Sequence, residues 1–224
     1  MTPLSGARYE TKYYVPATVR TALRADIERL LSADPHNDGA NGYVVTTLYF
    51  DTPRRLHYVE KVEGIPIRRR YRIRRYESAP ELIHLERKER VYQRHRKQRT
   101  LLSPEDYEAL TANRISHSDA PLLRSFIVDR AHEGLAPCLV TAYRRLAYVG
   151  KADRALRVTL DSELFARRAG TFEDTRYAPA LALPRGMTIL ELKWIHAFPF
   201  WMQTLVRKYS LRNAAISKYC LGTD

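Results

Sequence analysis

The chain has 224 residues, 45% hydrophobic and 28% charged, which fits a folded soluble protein and excludes a disordered one. Its 38 Lys and Arg against 25 Asp and Glu give a net charge of +13, so the expected partner is densely negative: nucleic acid, acidic headgroups, nucleotides or polyphosphate. No apolar run approaches the roughly 20 residues of a membrane span, the opening M-T-P-L-S-G-A-R-Y-E lacks a signal-peptide core, and Cys138 and Cys220 suit two buried free thiols in a reducing cytoplasm better than a disulfide framework or a metal site.

A strand is predicted near 8–14. A helix follows near 16–32, with Pro16 in its first turn and Leu23, Ile27, Leu30 and Leu31 on one face. G-Y-V-V-T-T-L-Y-F-D is rich in β-branched and aromatic residues and reads as a strand. A short helix is expected over 53–61. Two long strands near 66–76 and 81–92 flank S-A-P as a hairpin, and a further strand covers 94–101. Ser103 has the form of an N-cap, with Pro104 at the first helical position and Asp106 in the first turn. A second long helix is predicted over 119–133, with strands near 137–149, 155–161 and 187–195. A last helix, P-F-W-M-Q-T-L-V-R-K-Y, precedes S-K-Y-C-L-G, and Trp194, Phe198, Phe200 and Trp201 are expected to cluster beneath it. The loop signals at 34–42, 62–66 and 180–186 mark no domain boundary, so residues 1–224 read as one domain. Hairpin-linked strands imply an antiparallel sheet with helices outside it, an α+β fold.

Charge alternates along these strands. Arg8, Glu10 and Lys12 share one face, as do Arg70, Arg72 and Arg74, and as do His84, Glu86, Lys88 and Arg90. Tyr143 and Arg145, Arg157 and Asp161, and Glu191 and Lys193 repeat the pattern. On 186–195, Leu190, Leu192 and Trp194 oppose Ile189, Glu191 and Lys193. Solvated faces usually mix Thr, Ser, Gln, Glu and Lys, whereas these are dominated by Arg and Lys. Curling the sheet into a barrel would gather them around one lumen, where only an anion offsets their repulsion. A divalent metal there needs a carboxylate, and Glu191 beside Lys193 is the first candidate.

In their order, R-Y-E-T-K-Y, L-Y-F-D-T, R-Y-R-I-R-R-Y, L-E-R-K-E-R, K-Q-R, Y-R-R-L-A-Y, L-R-V-T-L-D, I-L-E-L-K and S-K-Y resemble the VTC domain, the polyphosphate polymerase domain of vacuolar transporter chaperone proteins and their bacterial relatives. That domain belongs to the triphosphate tunnel metalloenzymes, the CYTH superfamily. The resemblance implies a closed tunnel of about eight antiparallel strands with basic walls. It makes Arg72, Arg74, Lys88 and Arg145 the cations on the triphosphate, and Arg157 and Lys218 those on the transferring phosphoryl. Lys12, Lys97, Tyr143, Lys193 and Ser217 become substrate contacts, and Glu191 the ligand of Mn²⁺ or Mg²⁺. Hydrolytic members open with Glu-x-Glu-x-Lys. Here Arg8 stands at the first acid, which favours the polymerase over the hydrolase.

The implied reaction moves the γ-phosphoryl of ATP onto a growing polyphosphate chain. A triphosphate hydrolase in the same tunnel is the first rival. A non-catalytic polyphosphate- or RNA-binding module is the second, with the interleaved tyrosines of R-R-R-Y-R-I-R-R-Y suiting base stacking. The expected partners are ATP and inorganic polyphosphate, with no specific nucleic acid and no membrane segment. A separate membrane protein could recruit the domain. Oligomeric state is not legible in the sequence.

Overall fold

The computed structural model describes residues 9–92, 94–115, 118–195 and 197–224, with backbone alone at 94 and 95. Eight strands form one hydrogen-bonded path, and every pairing in it is antiparallel. Along that path lie β1 (Tyr9–Val15), β10 (Thr188–Trp194), β8 (Arg157–Arg168), β7 (Ala136–Gly150), β3 (Tyr43–Asp51), β4 (Ile67–Tyr76), β5 (Ala79–Val91) and β6 (Arg94–Leu102). The short strands β2 (Leu31–Ala33) and β9 (Ala180–Leu181) add to β7 and β8. The expected α+β architecture, antiparallel strands with helices outside, is present. The curled sheet is a half-barrel: among the described residues β1 and β6 end the path and do not pair with each other, although Lys88 on β5 reaches Glu10 on β1 across the lumen.

Helices cover the outer face because that is where the apolar alternate positions lie. Beneath α1 (Ala17–Leu30) and α5 (Phe200–Lys208), Leu23, Ile27, Met202 and Leu205 pack on Tyr13, Val158, Leu160, Leu190 and Leu192. Beneath α3 (Pro104–Thr111) and α4 (Pro121–Glu133), Leu110, Leu123 and Phe126 pack on Leu48, Phe50, Tyr71, Ile73 and Leu85. Full burial of each such side chain contributes about 1.5–3 kcal/mol. The outer face is therefore fixed, and the charged residues between these positions must face the lumen. Ser103 caps α3 as expected, its hydroxyl accepting from the Asp106 amide at 3.1 Å.

Several local expectations need correcting. The first helix stops at Leu30, which is exposed, because Leu31 turns into β2 and buries against β7. Phe200 is 78% exposed, whereas Trp194, Phe198 and Trp201 do pack against the outer core. The cysteines are free thiols but only partly buried. The strand expected to end at 161 runs to Arg168. A β-bulge at Glu163 and Leu164, opposite Tyr143 and with Glu163 at φ 53°, resets the alternation, so Leu164 and Ala166 take over the lumen face from Arg157, Thr159 and Asp161. The segment S-K-Y-C-L-G, left unassigned, forms most of α6 (Lys218–Thr223), which packs on β7 and β8. No helix among the described residues is long and apolar enough to cross a membrane.

Gly42 has a necessary role at the start of β3. Its φ is +68°, and a Cβ there would lie 2.0 Å from the carbonyl oxygen of Arg145. A glycine is required for β3 to enter the sheet directly beside the strand that carries Arg145.

Candidate active site

The concave side of the sheet holds a cavity of about 1020 Å³, at the upper end of the roughly 300–1,000 Å³ of small-molecule sites. All twelve residues singled out from the sequence line it: Lys12, Arg72, Arg74, Lys88, Lys97, Tyr143, Arg145, Arg157, Glu191, Lys193, Ser217 and Lys218. The lumen face is not polar throughout. Ile189, expected beside Glu191 and Lys193 on a charged face, is fully buried with Tyr43, Val45, Tyr143, Leu164 and Ile216, because the bulged end of β8 supplies apolar partners there.

Buried carboxylates organise the cations into clusters. Glu86 on β5, 1% exposed, accepts from Arg72 Nε at 2.8 Å and pairs with Arg72 Nη2 at 2.8 Å, Arg74 Nη1 at 3.7 Å and Lys97. Burial opposes ionisation of Glu86, but Arg74, Arg72 and Lys97 outweigh it and hold the carboxyl far below its usual range. Arg74 also donates to Thr47 Oγ1 at 3.2 Å, which fixes its guanidinium.

Asp161 on β8, also 1% exposed, is the second centre. Arg145 grips it with both arms, Nε to Oδ1 at 2.7 Å and Nη2 to Oδ2 at 2.8 Å, and Lys218 Nζ lies 2.6 Å from Oδ2. Against the cost of burial, these two cations hold its carboxyl down to about 2. The Tyr143 ring lies beneath both, 5.3 Å from the Arg145 guanidinium and 4.5 Å from the Lys218 ammonium. Lys218 begins α6. Ser217 caps that helix by accepting from the Cys220 amide at 3.4 Å, which leaves the hydroxyl proton of Ser217 uncommitted by the cap.

Glu10 and Glu191 make the third cluster. Lys12 Nζ lies 3.1 Å from Glu10 and 3.5 Å from Glu191. Lys193 Nζ lies 3.2 Å from Glu191 and 4.0 Å from Glu10, and Lys88 Nζ lies 3.5 Å from Glu10. Arg145 Nη2 approaches Glu191 at 3.5 Å, which joins this cluster to the second. Burial works against the charge of Lys12, but Glu10 and Glu191 raise its pKa all the same. Arg157 stands apart: its Nη2 lies 2.8 Å from Asp34 and 3.4 Å from the Tyr43 hydroxyl.

The sequence placed Glu10, Glu86 and Asp161 on the right faces but not in their roles. Period-two alternation signals their face, whereas the cations they hold follow from strand register and the tertiary fold. Asp34 gave no such signal, since it lies in a loop and meets Arg157 only through the tertiary fold. Arg8, on which the choice against a hydrolase rested, lies outside the described residues.

Among the described residues no group of three or more His, Cys, Asp or Glu could hold a metal ion. Glu10 and Glu191 share Lys12 and Lys193 and are the carboxylates lining the cavity. Two hard oxygen donors fit Mg²⁺ or Mn²⁺ provided that substrate phosphates supply further oxygens, the usual arrangement for these ions.

The family model of the VTC domain matches residues 7–224. The chain belongs to the VTC domain family. Solved structures share the fold of this VTC domain. One is a Vibrio parahaemolyticus protein named as a candidate adenylate cyclase, 13% identical, with a TM-score of 0.52 over 97% of this chain and 98% of that one. A Bacillus halodurans protein named in the same way is 12% identical, with a TM-score of 0.53 over 92% and 93%. The PH1819 protein of Pyrococcus horikoshii is 12% identical, with a TM-score of 0.50 over 96% and 97%. At such identities the likeness establishes the fold alone. No curated protein matches the chain. Family and tunnel architecture together support a VTC domain that handles nucleotide triphosphate or polyphosphate.

Two lysines of the VTC domain give its lumen a pH dependence. Burial pushes Lys88 down to about 8, with Glu10 resisting and Lys12 adding repulsion. Burial pushes Lys97 down to about 7, partly offset by Glu86 and reinforced by Arg72 and Arg74. Both groups bind a polyanion only as ammonium, and a bound polyanion raises their pKa. Affinity is therefore fully present below these values and is lost as pH rises through them. Tripolyphosphate affinity should fall about tenfold between pH 7 and 9 from Lys88 alone. Titration calorimetry of Lys88→Arg, whose charge persists throughout, should show a flatter profile. An unchanged slope would remove Lys88 as its source.

Proposed function

We propose that this domain is a polyphosphate polymerase that transfers the γ-phosphoryl group of ATP to the end of an inorganic polyphosphate chain. The observation that carries this reading is the convergence of Arg72 and Arg74 with Arg145 and Lys218 on one cavity, each pair anchored to a buried carboxylate. Phosphoryl transfer depends on alignment and charge neutralisation more than on covalent help. Arg72, Arg74, Lys88 and Arg145 hold the triphosphate, while Lys12, Lys97, Lys193, Tyr143 and Ser217 position phosphate oxygens around it. Arg157 and Lys218 neutralise the transferring group.

A terminal oxygen of the polyphosphate attacks the γ-phosphorus in line. The bond from that phosphorus to the β,γ-bridging oxygen breaks, and ADP leaves with the electron pair. The nucleophile is already ionised and needs no strong base. Burial opposes ionisation of Glu191, but Lys193, Lys12 and other partners hold its carboxyl well below the ordinary range, which makes it a poor base for activating water. Tunnel enzymes of this class generally depend on a divalent metal, and Glu191, with Glu10 beside it, is the group we assign to hold Mn²⁺ or Mg²⁺. When bound, the ion would supply Lewis-acid neutralisation of the charge that develops on the leaving group.

The working unit is taken as the single domain 1–224, acting in the cytoplasm on ATP and polyphosphate. Glu191→Gln should cut metal-dependent turnover by at least 100-fold, with ATP-to-ADP conversion followed at saturating Mn²⁺. Near-normal turnover would refute the role of Glu191.

A further inference from the structure

Cross-strand register divides the β4–β5–β6 wall into rows of unlike charge. In the innermost of three rows Arg72, Glu86 and Arg99 lie side by side, so a carboxylate separates two cations. The next row is Arg70, Lys88 and Lys97, and the row beyond it begins with Arg68 opposite Arg90. Like charges directly opposite each other on a sheet destabilise it. Lys88 and Lys97 find relief in Glu10 and Glu86. Among the described residues, Arg68, Arg70 and Arg90 form no ion pair with a carboxylate.

Their hydrogen bonds go to main-chain carbonyls instead: Arg68 to Ile65, Arg70 to His57 at 2.7 Å, and Arg90 to Tyr92. The Nε of Arg70 is buried with no acceptor at all. Lys61 on α2 (Leu56–Val62) joins them, donating to the carbonyl of Ala215 at 3.3 Å. Glu60 is felt electrostatically by Arg68 and Arg70 but bonds to neither. Burial pushes Arg68 down to about 10, with repulsion from Arg70 and Arg90 adding to it. These four residues line the same cavity as the carboxylate-anchored clusters. From Arg68 to Arg72 the strand advances about 13 Å, a reach of several linked phosphates.

We propose that Lys61, Arg68, Arg70 and Arg90 form an outer track that binds the units of a linear polyphosphate lying beyond the triphosphate held by the inner clusters. In each inner cluster a buried carboxylate offsets part of the cationic charge and orders the cations before any ligand arrives, so the cluster selects a short anion in one place. The outer track is unbalanced and is completed only by a longer one. The inference rests on the proposed function for the inner site, and chain-length preference is its own signature. A phosphate-bearing lipid surface offers the same chemistry, but continuity with the inner cavity favours the soluble polymer.

Dissociation constants for tripolyphosphate and for long-chain polyphosphate, measured on Arg68→Ala/Arg90→Ala and on Arg72→Ala, separate the two sites. The outer variant should bind the long chain about tenfold or more weakly, with its salt slope reduced by about one to two. Its tripolyphosphate affinity should stay within about twofold. Its unfolding midpoint without ligand should match or exceed the parent's, because a repulsive pair is gone. Arg72→Ala should weaken both ligands. Equal losses for the two ligands in the outer variant, or none, would overturn the track. So would retention on anionic phosphatidylglycerol vesicles that vanishes in the outer variant while its chain-length preference persists. If the parent failed to bind tripolyphosphate, the inner-site reading would fall, whereas a selective loss of long-chain binding in the outer variant would still support the track.

Discussion

Glu86→Gln should lower the unfolding free energy by about 3–5 kcal/mol, the usual cost of removing one partner from a buried ion pair. For a domain of this size that is a fall of about 10 °C in Tm. The shape of the side chain is kept and only its charge is lost. Glu86 is the acceptor shared by Arg72, Arg74 and Lys97, and without it the guanidiniums of Arg72 and Arg74 are left facing each other with no carboxylate between them. Tripolyphosphate should restore most of the lost stability, since phosphate oxygens take the place of the missing carboxylate. The ligand-induced shift in Tm should therefore be larger in the variant than in the parent. An unchanged midpoint, or a smaller ligand shift, would mean that Glu86 does not hold these cations apart. Differential scanning fluorimetry with and without tripolyphosphate reads both.

Arg72→Ala/Arg74→Ala should weaken tripolyphosphate binding by about 100- to 10,000-fold. Two charge-assisted hydrogen-bonding groups at about 1.5–3 kcal/mol each give that range. Glu86 holds both guanidiniums in place before ligand arrives, and Thr47 fixes Arg74 further, so little ordering remains to oppose binding. Replacing both by lysine keeps the charge and loses the planar fork, and should recover only part of the affinity. Calorimetry on the two double variants distinguishes geometry from charge. Full recovery with lysine would reduce this pair to a diffuse positive field.

Most of the sheet and the strand-borne part of the site were legible from period-two alternation, whereas Lys97, Ser217 and Lys218 were legible only through the resemblance to the VTC domain. Leu190 and Leu192 had to be buried beneath helices, which turned Glu191 and Lys193 into the lumen, and the same logic placed Arg72 and Arg74. The alternation breaks at Glu163 and Leu164, where the bulge swaps the faces of β8 and hides the strand's second half. Leu31 fits the end of a helix in the sequence because its apolar side chain satisfies a helical face and a short strand equally well. The edge between β1 and β6 was invisible because backbone closure depends on curl and stagger, which no residue pattern along one strand encodes. Counter-ion pairing was also hidden. That Asp34 meets Arg157, and that Glu86 serves three cations, are facts of tertiary geometry. The outer row of Arg68 and Arg90 emerged only once strand register was known, since the sequence separates them by more than twenty residues.

The most direct measurement incubates the pure protein with ATP and Mn²⁺, then resolves the phosphate products by gel electrophoresis while ADP is quantified. The account predicts polymers far longer than three phosphates, with one ADP released per phosphate incorporated. Orthophosphate as the sole new phosphate species, released in step with ADP, would contradict it and make this tunnel a hydrolase.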